Sequence, residues 1–454
     1  MSQAPVDAAH TQIVEEKGRL EALVAQILDE AKAQGASEAE VGVSAEQGLS
    51  LTVRLGEVET LEYTRSGGFG VTVFVGHAKG HASTSDTRPQ AIRDTVRAAL
   101  DIARHTSEDP CAGLAAPEQL ARDVPDLDLY HPWPLDVGQA TEIALRCEAA
   151  GRAVDARIEN SEGATLNTHE VYRIYGNSNG FLAGYPGTRH GLSCVLIARD
   201  GEGMQRDYWY DGVRDPARLA SAEEIGRRAG ERTVSRLDAR PVATGEMPVL
   251  FAAELAPSLI GHFLSAIAGG ALYRRSSFLL GKLGERVFPD WFAIDERPLL
   301  PGGNGSAAFD ADGLPTRDKH FVRHGVLESY SLGLYSARKL GMAPTGNGSG
   351  AHNVFVAGSG QSRHEILELM GNGILVTELM GQGVNLVTGD YSRGAAGFAI
   401  ENGRLSHPVS GITIAGNLND IYRSIAAVGN DMDPRGNVHC GSLLVPRMMV
   451  AAGG

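Results

Sequence analysis

The stretch EVGVSAEQGLSLTVRLGEVETLEYTRSGGFGVTVFVGHAKGHASTS, residues 40–85, decides how the first half of this chain folds. Apolar and polar residues alternate through VGVSA, LSLTVRL and FGVTVFV, and glycine-containing turns separate these runs. A period of two predicts strands, and short turns between strands predict antiparallel neighbours. This stretch therefore predicts an antiparallel meander.

Helical patterns flank this meander, and the whole arrangement then recurs. Residues 11–34 and 88–105 carry apolar side chains three and four positions apart, as on the buried face of a helix. The same order of helix, strands and helix follows over residues 137–154, 157–210 and 216–237. The recurrence predicts repeated helix–antiparallel meander–helix units, although two unrelated segments with glycine-rich turns would produce the same pattern.

The second half of the sequence differs from the first in residue composition and in the length of its β segments. Beyond residue 240 it is rich in glycine, and short β segments end at turn signals such as His324-Gly325 and Asn402-Gly403. Helical patterns interrupt these segments at residues 257–268, 363–370 and 418–428. We therefore predict an α+β fold whose C-terminal half is a glycine-rich, mainly β domain with a few helices.

The changes of pattern also predict domain boundaries. Residues 107–135 are rich in proline and lack a period, which is typical of a linker. The chain is long enough for several domains that each bury a core of their own. We expect a first helix–meander–helix unit (1–106), the linker (107–135), a second such unit (136–240) and a C-terminal domain (241–454).

Charge and cysteine content argue against several classes of protein. The 41 Lys and Arg residues against 55 Asp and Glu residues give a formal charge of −14, which disfavours binding to nucleic acid or an anionic membrane. The 4 cysteines are dispersed, as expected in a reducing compartment. Residues 1–9 lack the pattern of a signal peptide, and no apolar stretch is long enough to span a membrane. We therefore predict a cytoplasmic protein that contacts neither nucleic acid nor a membrane.

The predicted helix at residues 257–268 bears most directly on metal binding. Its apolar positions form one stripe, and the opposite face carries Ser258, His262 and Ser265. A helix that binds zinc needs two imidazoles one turn apart to supply enough ligands. A single histidine between two serines does not meet this need, so His262 is interpreted as a surface or interface histidine.

Two other histidine-containing pairs resemble functional motifs only in part. His364-Glu365 lacks a second histidine four residues on, and Ser362 with Glu365 instead predicts a capping box that opens a helix. His439 and Cys440 are adjacent, so on a strand they point to opposite faces and rarely share one metal. Cys440 is interpreted as a buried, unreactive cysteine, with a nucleophilic role as the alternative.

The glycine-rich and acidic loops of the C-terminal half do not match known ligand-binding motifs. Residues 302–305, 346–348 and 358–360 are rich in glycine, but none has the pattern of a phosphate-binding loop. Residues 310–313 lack the third acidic position and the final glutamate of a calcium loop. A hairpin turn at Asp312-Gly313 explains that segment better.

Several strings in the C-terminal half carry a resemblance to a known family. They include YSARKLG (335–341), VTELMGQG (376–383), TGDYSRGAAGF (388–398) and IAGNL (414–418). In these strings and in their order, the chain resembles the TldD/PmbA family of peptidases, and within it the PmbA (TldE) type of subunit. The resemblance covers nearly the whole chain.

This resemblance implies a cytoplasmic zinc peptidase of two different subunits that cleaves peptides and unfolded segments. In that family the TldD-type subunit holds the zinc with an HExxxH helix and a C-terminal cysteine. The matching helix here is residues 257–268, whose ligand positions fall near Ile260 and Ser265, and Cys440 falls where the cysteine stands. The resemblance therefore implies that this chain binds no metal, that the zinc belongs to a TldD-type partner, and that His262 and Cys440 are residual metal-site positions.

The segment at residues 388–398 is where we expect the peptide substrate to lie. It is rich in glycine and places five candidate channel residues between two β runs: Gly389, Asp390, Tyr391, Ser392 and Arg393. Its main chain could pair with an extended peptide without demanding a particular sequence, and Arg393 could bind a carboxylate or a carbonyl group. The alternative is a structural turn in which Asp390 and Arg393 neutralise each other.

Three functions are compatible with the sequence. The first is a subunit without metal that completes the peptide channel of a TldD-type partner. The second is a metallopeptidase in its own right with an atypical site around His262, His439 or Cys440, and the third is a regulatory binding protein, because a label in the family links it to DNA gyrase. Unpaired meander edges also predict dimerisation, with a TldD-type subunit or, for the isolated chain, with a second copy.

Overall fold

The computed structural model describes residues 13–201 and 203–452. The signal-peptide prediction concerns residues 1–9, which lie outside the described residues. The chain divides into two compact units, one comprising residues up to 154 together with 160–196 and 208–230, and the other comprising 155–159, 197–207 and 231 onward.

The first part of the chain contains the two successive helix–meander–helix arrangements. In chain order its elements are α1 (Lys17–Ala33), β1 (Glu38–Arg54), β2 (Glu57–Val75), β3 (Ala78–Thr84), α2 (Pro89–His105), α3 (Val137–Arg152), β4 (Asn160–Asn177), β5 (Leu182–Asp200), β6 (Gly203–Val213) and α4 (Ala222–Ser235). The strands form a 6-stranded sheet in the order β3-β2-β1-β4-β5-β6. Antiparallel pairing of β1 with β4 joins the two predicted meanders into this one sheet.

One face of this sheet carries its hydrophobic core. Side chains alternate between the faces of β1, so Val41, Val43 and Leu51 are buried while the intervening positions are partly open. Helices α1 and α2 pack on the buried face, where Ile27 and Val96 have no exposed surface. The period of two along β1 is therefore the direct consequence of helices covering a single face.

The hairpin between β1 and β2 is held by a buried glutamate of α3. Leu55 and Gly56 form its turn with φ values of 52° and 85°, a left-handed conformation that is unfavourable for a leucine. Glu148, which is 2% exposed, accepts the Leu55 N–H at 2.8 Å and the Gly56 N–H at 2.9 Å with its two carboxylate oxygens. These two bonds fix the strained turn to α3.

The structure corrects the bounds of two predicted helices. The pattern at residues 216–237 is interrupted, because Pro216–Arg218 is a separate 3-10 turn and Leu219 is extended before α4 begins at Ala222. The helix predicted at residues 418–428 ends at Ser424, and Ala427–Val428 is a strand. In the first place the extended Leu219 separates the 3-10 turn from α4. In the second place the helix ends because the backbone leaves helical geometry at Ile425.

The second part of the chain has the mixed composition that its sequence predicted. Its elements are β7 (Gly245–Phe251), α5 (Ala256–Ala266), α6 (Gly269–Tyr273), β8 (Ile294–Glu296), β9 (Lys319–Arg323), β10 (Val326–Leu327), α7 (Leu334–Leu340), β11 (Val354–Val356), α8 (Arg363–Met370), β12 (Gly373–Met380), β13 (Asp390–Glu401), β14 (Arg404–Asn417), α9 (Leu418–Ser424), β15 (Ala427–Val428), β16 (Val438–His439) and β17 (Leu443–Ala452). The predicted turns at His324-Gly325 and Asn402-Gly403 are confirmed, with positive φ at all four residues. The capping box of Ser362 and Glu365 is also confirmed.

A closed ring of strands dominates this second part. One sheet has the order β14-β13-β12-β7-β17-β15, and an additional pairing between β14 and β17 closes the strands from β14 to β17 on themselves. Closure leaves no unpaired edge along the paired residues. A 5-stranded sheet, β10-β9-β8-β11-β16, accompanies the ring.

The predicted fold class is confirmed by these elements. Helices and strands are mixed, and the C-terminal half is a large domain in which β-strands dominate. Within the described residues, no helix is both long and apolar enough to cross a membrane. The predicted domain limits stay a prediction, although residues 107–135 contain only the 3-10 turn Pro117–Gln119.

We predict that Glu148→Ala lowers the free energy of unfolding by about 2 kcal/mol, because the two turn N–H groups lose a charged acceptor. Urea unfolding followed by circular dichroism measures this change. Glu142→Ala on the same helix is the control, since Glu142 has a 71% exposed side chain; its effect should stay within about 0.5 kcal/mol. Equal effects of the two substitutions would contradict the anchoring role of Glu148.

Candidate functional site

Helix α5 is fixed in the second unit by a cluster of aromatic side chains. Phe263 on its buried stripe meets Phe288 edge to face at 5.1 Å and Tyr422 at 6.1 Å between ring centroids. The Tyr422 hydroxyl donates to the Leu259 carbonyl at 2.8 Å. Because both the stripe and the helix backbone are held in this way, the orientation of the neighbouring His262 side chain is fixed as well.

His262 of α5 lies against Tyr391 of β13. Their rings meet edge to face with centroids 6.0 Å apart, and Tyr391 is 2% exposed. Side chains alternate along β13, so Tyr391 and Arg393 share the face that also buries Ala395. The structure thus brings together three residues that the sequence had singled out separately.

One buried polar atom in each of these three residues lacks a hydrogen bond of good geometry in the described part of the chain, although Arg393 lies close enough to interact with the Tyr391 hydroxyl. His262 Nε2, the Tyr391 hydroxyl and Arg393 Nε each lack a hydrogen bond of good geometry within the described residues. Burial of such groups costs free energy unless a partner compensates. We name His262, Tyr391 and Arg393 the α5–β13 cluster.

Burial and the arginine together set the protonation of the cluster. Burial lowers the pKa of His262, and the positive charge of Arg393 lowers it further, so the imidazole is neutral at neutral pH. Burial raises the pKa of Tyr391 to about 12, with Arg393 partly offsetting the rise. The cluster therefore presents a neutral imidazole, a neutral phenol and one fixed positive charge.

The other predicted channel residues lie on the opposite face of β13 or in the turn before it. Asp390 and Ser392 are exposed, and Gly389 has a φ of 83° in the turn. Asp390 accepts bonds from Thr388 and Asn417, not from Arg393. An odd separation along a strand places two side chains on opposite faces, so the expected neutralisation of Arg393 by Asp390 is wrong.

The main chain of this segment is already occupied on both sides. Arg393 pairs with Ile414 of β14, Gly394 pairs with Met380 of β12, and the Ser392 N–H donates to the Gly383 carbonyl at 2.7 Å. The expectation that this main chain pairs with a peptide is therefore wrong. Gly394 and Gly397 do allow a close approach of backbone, but the approaching segment is the chain's own β12.

The residues around His262 do not fit a zinc ion. Ile260 is fully buried while Ser265 is exposed and donates to the Gly261 carbonyl, so the two positions matched to metal ligands point apart. The charge nearest to His262 is the positive Arg393, which repels a cation. Throughout the described residues, no group of three or more His, Cys, Asp and Glu side chains could hold a metal.

Cys440 and His439 occupy environments that do not activate them. Cys440 is fully buried, and burial together with Asp431 strongly raises the pKa of its thiol, so the nucleophilic or metal-binding thiolate is disfavoured. His439 stacks on Phe355 with centroids 4.4 Å apart, and burial lowers its pKa. Both residues have a packing role in this structure.

A buried polar network that the sequence did not indicate lies in the same unit. The fully buried Glu296 accepts hydrogen bonds from the Lys319 ammonium at 2.5 Å, from Asn347 at 2.9 Å and from His352 Nδ1 at 3.1 Å. These partners hold the pKa of the carboxyl below its ordinary value despite burial. Isolated Glu, Lys and His residues in the sequence gave no signal that they would meet.

Two of the glycine-rich loops have main-chain N–H groups that are bound by side chains of the same chain. The Gly305 N–H donates to the Asn353 side chain at 2.8 Å, and the Gly348 N–H donates to Asp310 at 2.8 Å. Asp310 also accepts from the Asp312 and Leu314 N–H groups, which makes the predicted turn at Asp312-Gly313. Their N–H groups are therefore used within the protein.

One cavity of about 420 Å³ lies away from these residues. Its lining includes Val242, Met247, Ile374, Ile400 and His407 and contains none of the predicted site residues. Although Glu246 and Glu401 also line this cavity, it does not bring the predicted site residues together, so the α5–β13 cluster remains the candidate site.

Three stretches of the chain match the domains of one protein family. Residues 39–103 match PmbA/TldA metallopeptidase domain 1, residues 130–237 match the central domain and residues 244–452 match the C-terminal domain. The chain is also 50% identical over 420 residues to the metalloprotease PmbA of Escherichia coli O157:H7, which covers 92% of this chain and 93% of that protein.

Solved structures share the fold over nearly the full length. A protein from Bacteroides thetaiotaomicron, described as a proposed modulator of DNA gyrase, superposes with a TM-score of 0.91 at 27% identity, covering 97% of this chain and 100% of that one. TldE from Thermococcus kodakarensis superposes with a TM-score of 0.79 over 95% of this chain and 100% of that one. At 19% identity the second comparison shows a shared fold.

Asp310 should make stability depend on pH. Burial and the neighbouring Asp312 raise its pKa from 3.8 to about 6, so the folded chain keeps a proton that the unfolded chain has released. Stability is therefore lost as pH rises between these two values, by about 3 kcal/mol in total.

We expect the stability of Asp310→Asn relative to wild type to rise by that amount between about pH 4 and pH 7. Urea unfolding at a series of pH values measures the difference. Asp94→Asn, at an exposed position, is the control and should show no such trend. A constant difference between Asp310→Asn and wild type would contradict the raised pKa.

Proposed function

The chain belongs to the PmbA/TldD metallopeptidase family, as its sequence predicted, and we propose that it acts as the subunit without metal in a two-subunit zinc peptidase. In this role a TldD-type partner holds the zinc, and this chain completes the channel that receives peptides and unfolded segments. The α5–β13 cluster is the part of the channel that it supplies. We place the complex in the cytoplasm, in keeping with four dispersed cysteines, for which no disulfide is found among the described residues.

The single observation that carries this proposal is that the charged neighbour of His262 is a guanidinium and not a carboxylate. A zinc site requires several neutral or anionic donors around the cation. Here the imidazole has a guanidinium neighbour instead of a carboxylate, and the thiol of Cys440 is held in its protonated form by burial. Yet the same place retains unpartnered polar atoms, which supports a ligand-binding role without metal catalysis.

A second feature supports association with another subunit. Residues 57–66 of β2 pair with β1 on one side, and β3 covers β2 only from Phe69 onward. Among the described residues no strand pairs with the other side of this length, which carries the exposed side chains of Val58 and Leu61. An open strand edge with apolar side chains favours pairing with another chain, and a TldD-type subunit is the occupant we propose, with a second copy in its place when the chain is isolated.

We predict that the purified chain carries no stoichiometric zinc and cleaves no peptide alone, whereas a mixture with a TldD-type subunit cleaves. Elemental analysis and a fluorogenic peptide assay measure both properties. Tightly held stoichiometric zinc that disappears in His262→Ala or Cys440→Ala would overturn the proposal in favour of a metallopeptidase in its own right. A chain that neither binds the TldD-type subunit nor raises its activity would favour the regulatory alternative.

We predict that the chain forms dimers, with itself when isolated and with a TldD-type subunit when one is present. Light scattering at micromolar concentration and pull-down measure the two states. Leu61→Arg should shift both toward monomers, because a charge on the open edge of β2 opposes strand pairing. Leu405→Arg is the control at another exposed leucine and should leave assembly unchanged; equal behaviour of the two variants would exclude this edge as the contact.

A further inference from the structure

We propose that the α5–β13 cluster binds a carboxylate of the peptide, with Arg393 as its charge partner and Tyr391 and His262 as further hydrogen-bond donors. This inference deepens the proposed channel role and rests on it for the identity of the ligand as a peptide. It requires neither the zinc nor the partner subunit. The argument comes from the backbone position of Arg393, from its charge and from the number of donors.

The backbone of Arg393 lies in the ring of strands, next to buried residues. It pairs with Ile414 of β14, and Ile414 pairs in turn with Val450 of β17. Directly paired residues point to the same face, and both neighbours are fully buried. The guanidinium therefore leaves the strand beside apolar side chains, where an uncompensated charge is costly.

No carboxylate among the described residues compensates this charge. Other arginines in the same unit do have such partners: Arg435 pairs with Asp433 at 2.6 Å, and Arg232 pairs with Glu254 at 2.8 Å. For Arg393 no ion pair is found within the described residues, and its Nε–H has no acceptor. The net charge of −14 makes an unpaired, half-buried arginine all the more unusual in this protein.

The donors of the cluster match an anion with one charge and two oxygens. The Tyr391 hydroxyl is a neutral donor, and His262 donates from Nε2 in the corresponding neutral tautomer. Together with the arginine they offer several N–H and O–H groups but a single positive charge. A neutral carbonyl would leave that charge uncompensated, whereas a carboxylate satisfies the charge and accepts from all three groups.

Two other buried imidazoles with an unpartnered nitrogen do not carry this argument. His352 Nε2 and His190 Nδ1 also lack partners, but in each ring the other nitrogen is hydrogen-bonded, to Glu296 and to the His131 carbonyl. A neutral imidazole has one nitrogen without a proton, and leaving it unpaired costs far less than an unpaired guanidinium N–H. The α5–β13 cluster differs because charged and uncharged donors lie together.

A binding experiment on the isolated full chain tests this assignment. The probes are fluorescein-labelled tetra-alanine with a free C-terminal carboxylate, the same peptide amidated, and an amidated peptide whose last residue is glutamate. Fluorescence polarisation measures their affinities. We expect the free acid to bind about tenfold or more tightly than the plain amide, because a charge-assisted pair is lost on amidation.

The three probes distinguish the two sources of a carboxylate. Tight binding of the free acid alone assigns the site to the end of a peptide chain. Recovery of tight binding by the glutamate-containing amide assigns it to an acidic side chain within the peptide. Equal binding of acid and plain amide, or binding of neither, would overturn the proposal.

Substitutions link the preference to the cluster. Arg393→Gln should abolish the difference between acid and amide, and Arg393→Lys should retain part of it, because lysine keeps the charge but lacks the planar fork. Tyr391→Phe removes only the hydroxyl and should reduce the difference by a smaller factor. Arg447→Gln makes the same change of net charge at an exposed arginine and should leave the preference intact.

Two outcomes of the variant series would overturn the proposal. The first is an unchanged acid preference in both Arg393→Gln and Tyr391→Phe. The second is loss of the preference in wild type when a TldD-type subunit is added with its own active site inhibited, because the cluster would then pair with a group of that subunit. Zinc content and assembly are measured separately, so failure here is distinguishable from failure of the proposed subunit role.

Discussion

Pairing of β14 with β17 closes the ring of strands that positions the candidate site. Arg393 pairs with Ile414 of β14 on one side, and the next residue, Gly394, pairs with β12 on the other, so the backbone that carries the arginine is flanked by strands on both sides. Helix α5 in turn is held by Phe263 and by the Tyr422 bond to its backbone. Both elements that carry the cluster are therefore held in place by contacts within the fold.

Other buried charged residues of this protein differ from Arg393 in having hydrogen-bond partners within the fold. Glu148 binds two N–H groups of a strained turn, and Glu296 binds an ammonium, an amide and an imidazole. Asp310 accepts three backbone N–H bonds. Each of these carboxylates is satisfied inside the fold and so contributes to structure. For Arg393 no carboxylate partner is found among residues 13–201 and 203–452, so an anionic ligand would compensate its charge.

The sequence singled out the individual residues of the candidate site. The strings of the family pointed to Tyr391 and Arg393, and the missing second imidazole on α5 singled out His262. The contact between His262 and Tyr391 could not be predicted from the sequence, because about 130 residues separate α5 from β13 and no local pattern encodes it. For the same reason the hydrogen bond between Glu296 and His352 could not be predicted from the sequence, because only the folded sheet brings the two residues together.

The sequence by itself determined the α+β class, the order of the elements, the hairpin at Asn402-Gly403 and the absence of a zinc-binding pair of imidazoles on α5. These features follow from local backbone sterics and from side-chain period, which act over a few residues. Only the tertiary structure decided that β13 is an interior strand and that Asp390 and Arg393 point apart. It also decided that Arg393 meets no carboxylate in the described part of the chain. Strand pairing and desolvation decide those outcomes, and both depend on segments that are distant in the chain and close only after folding.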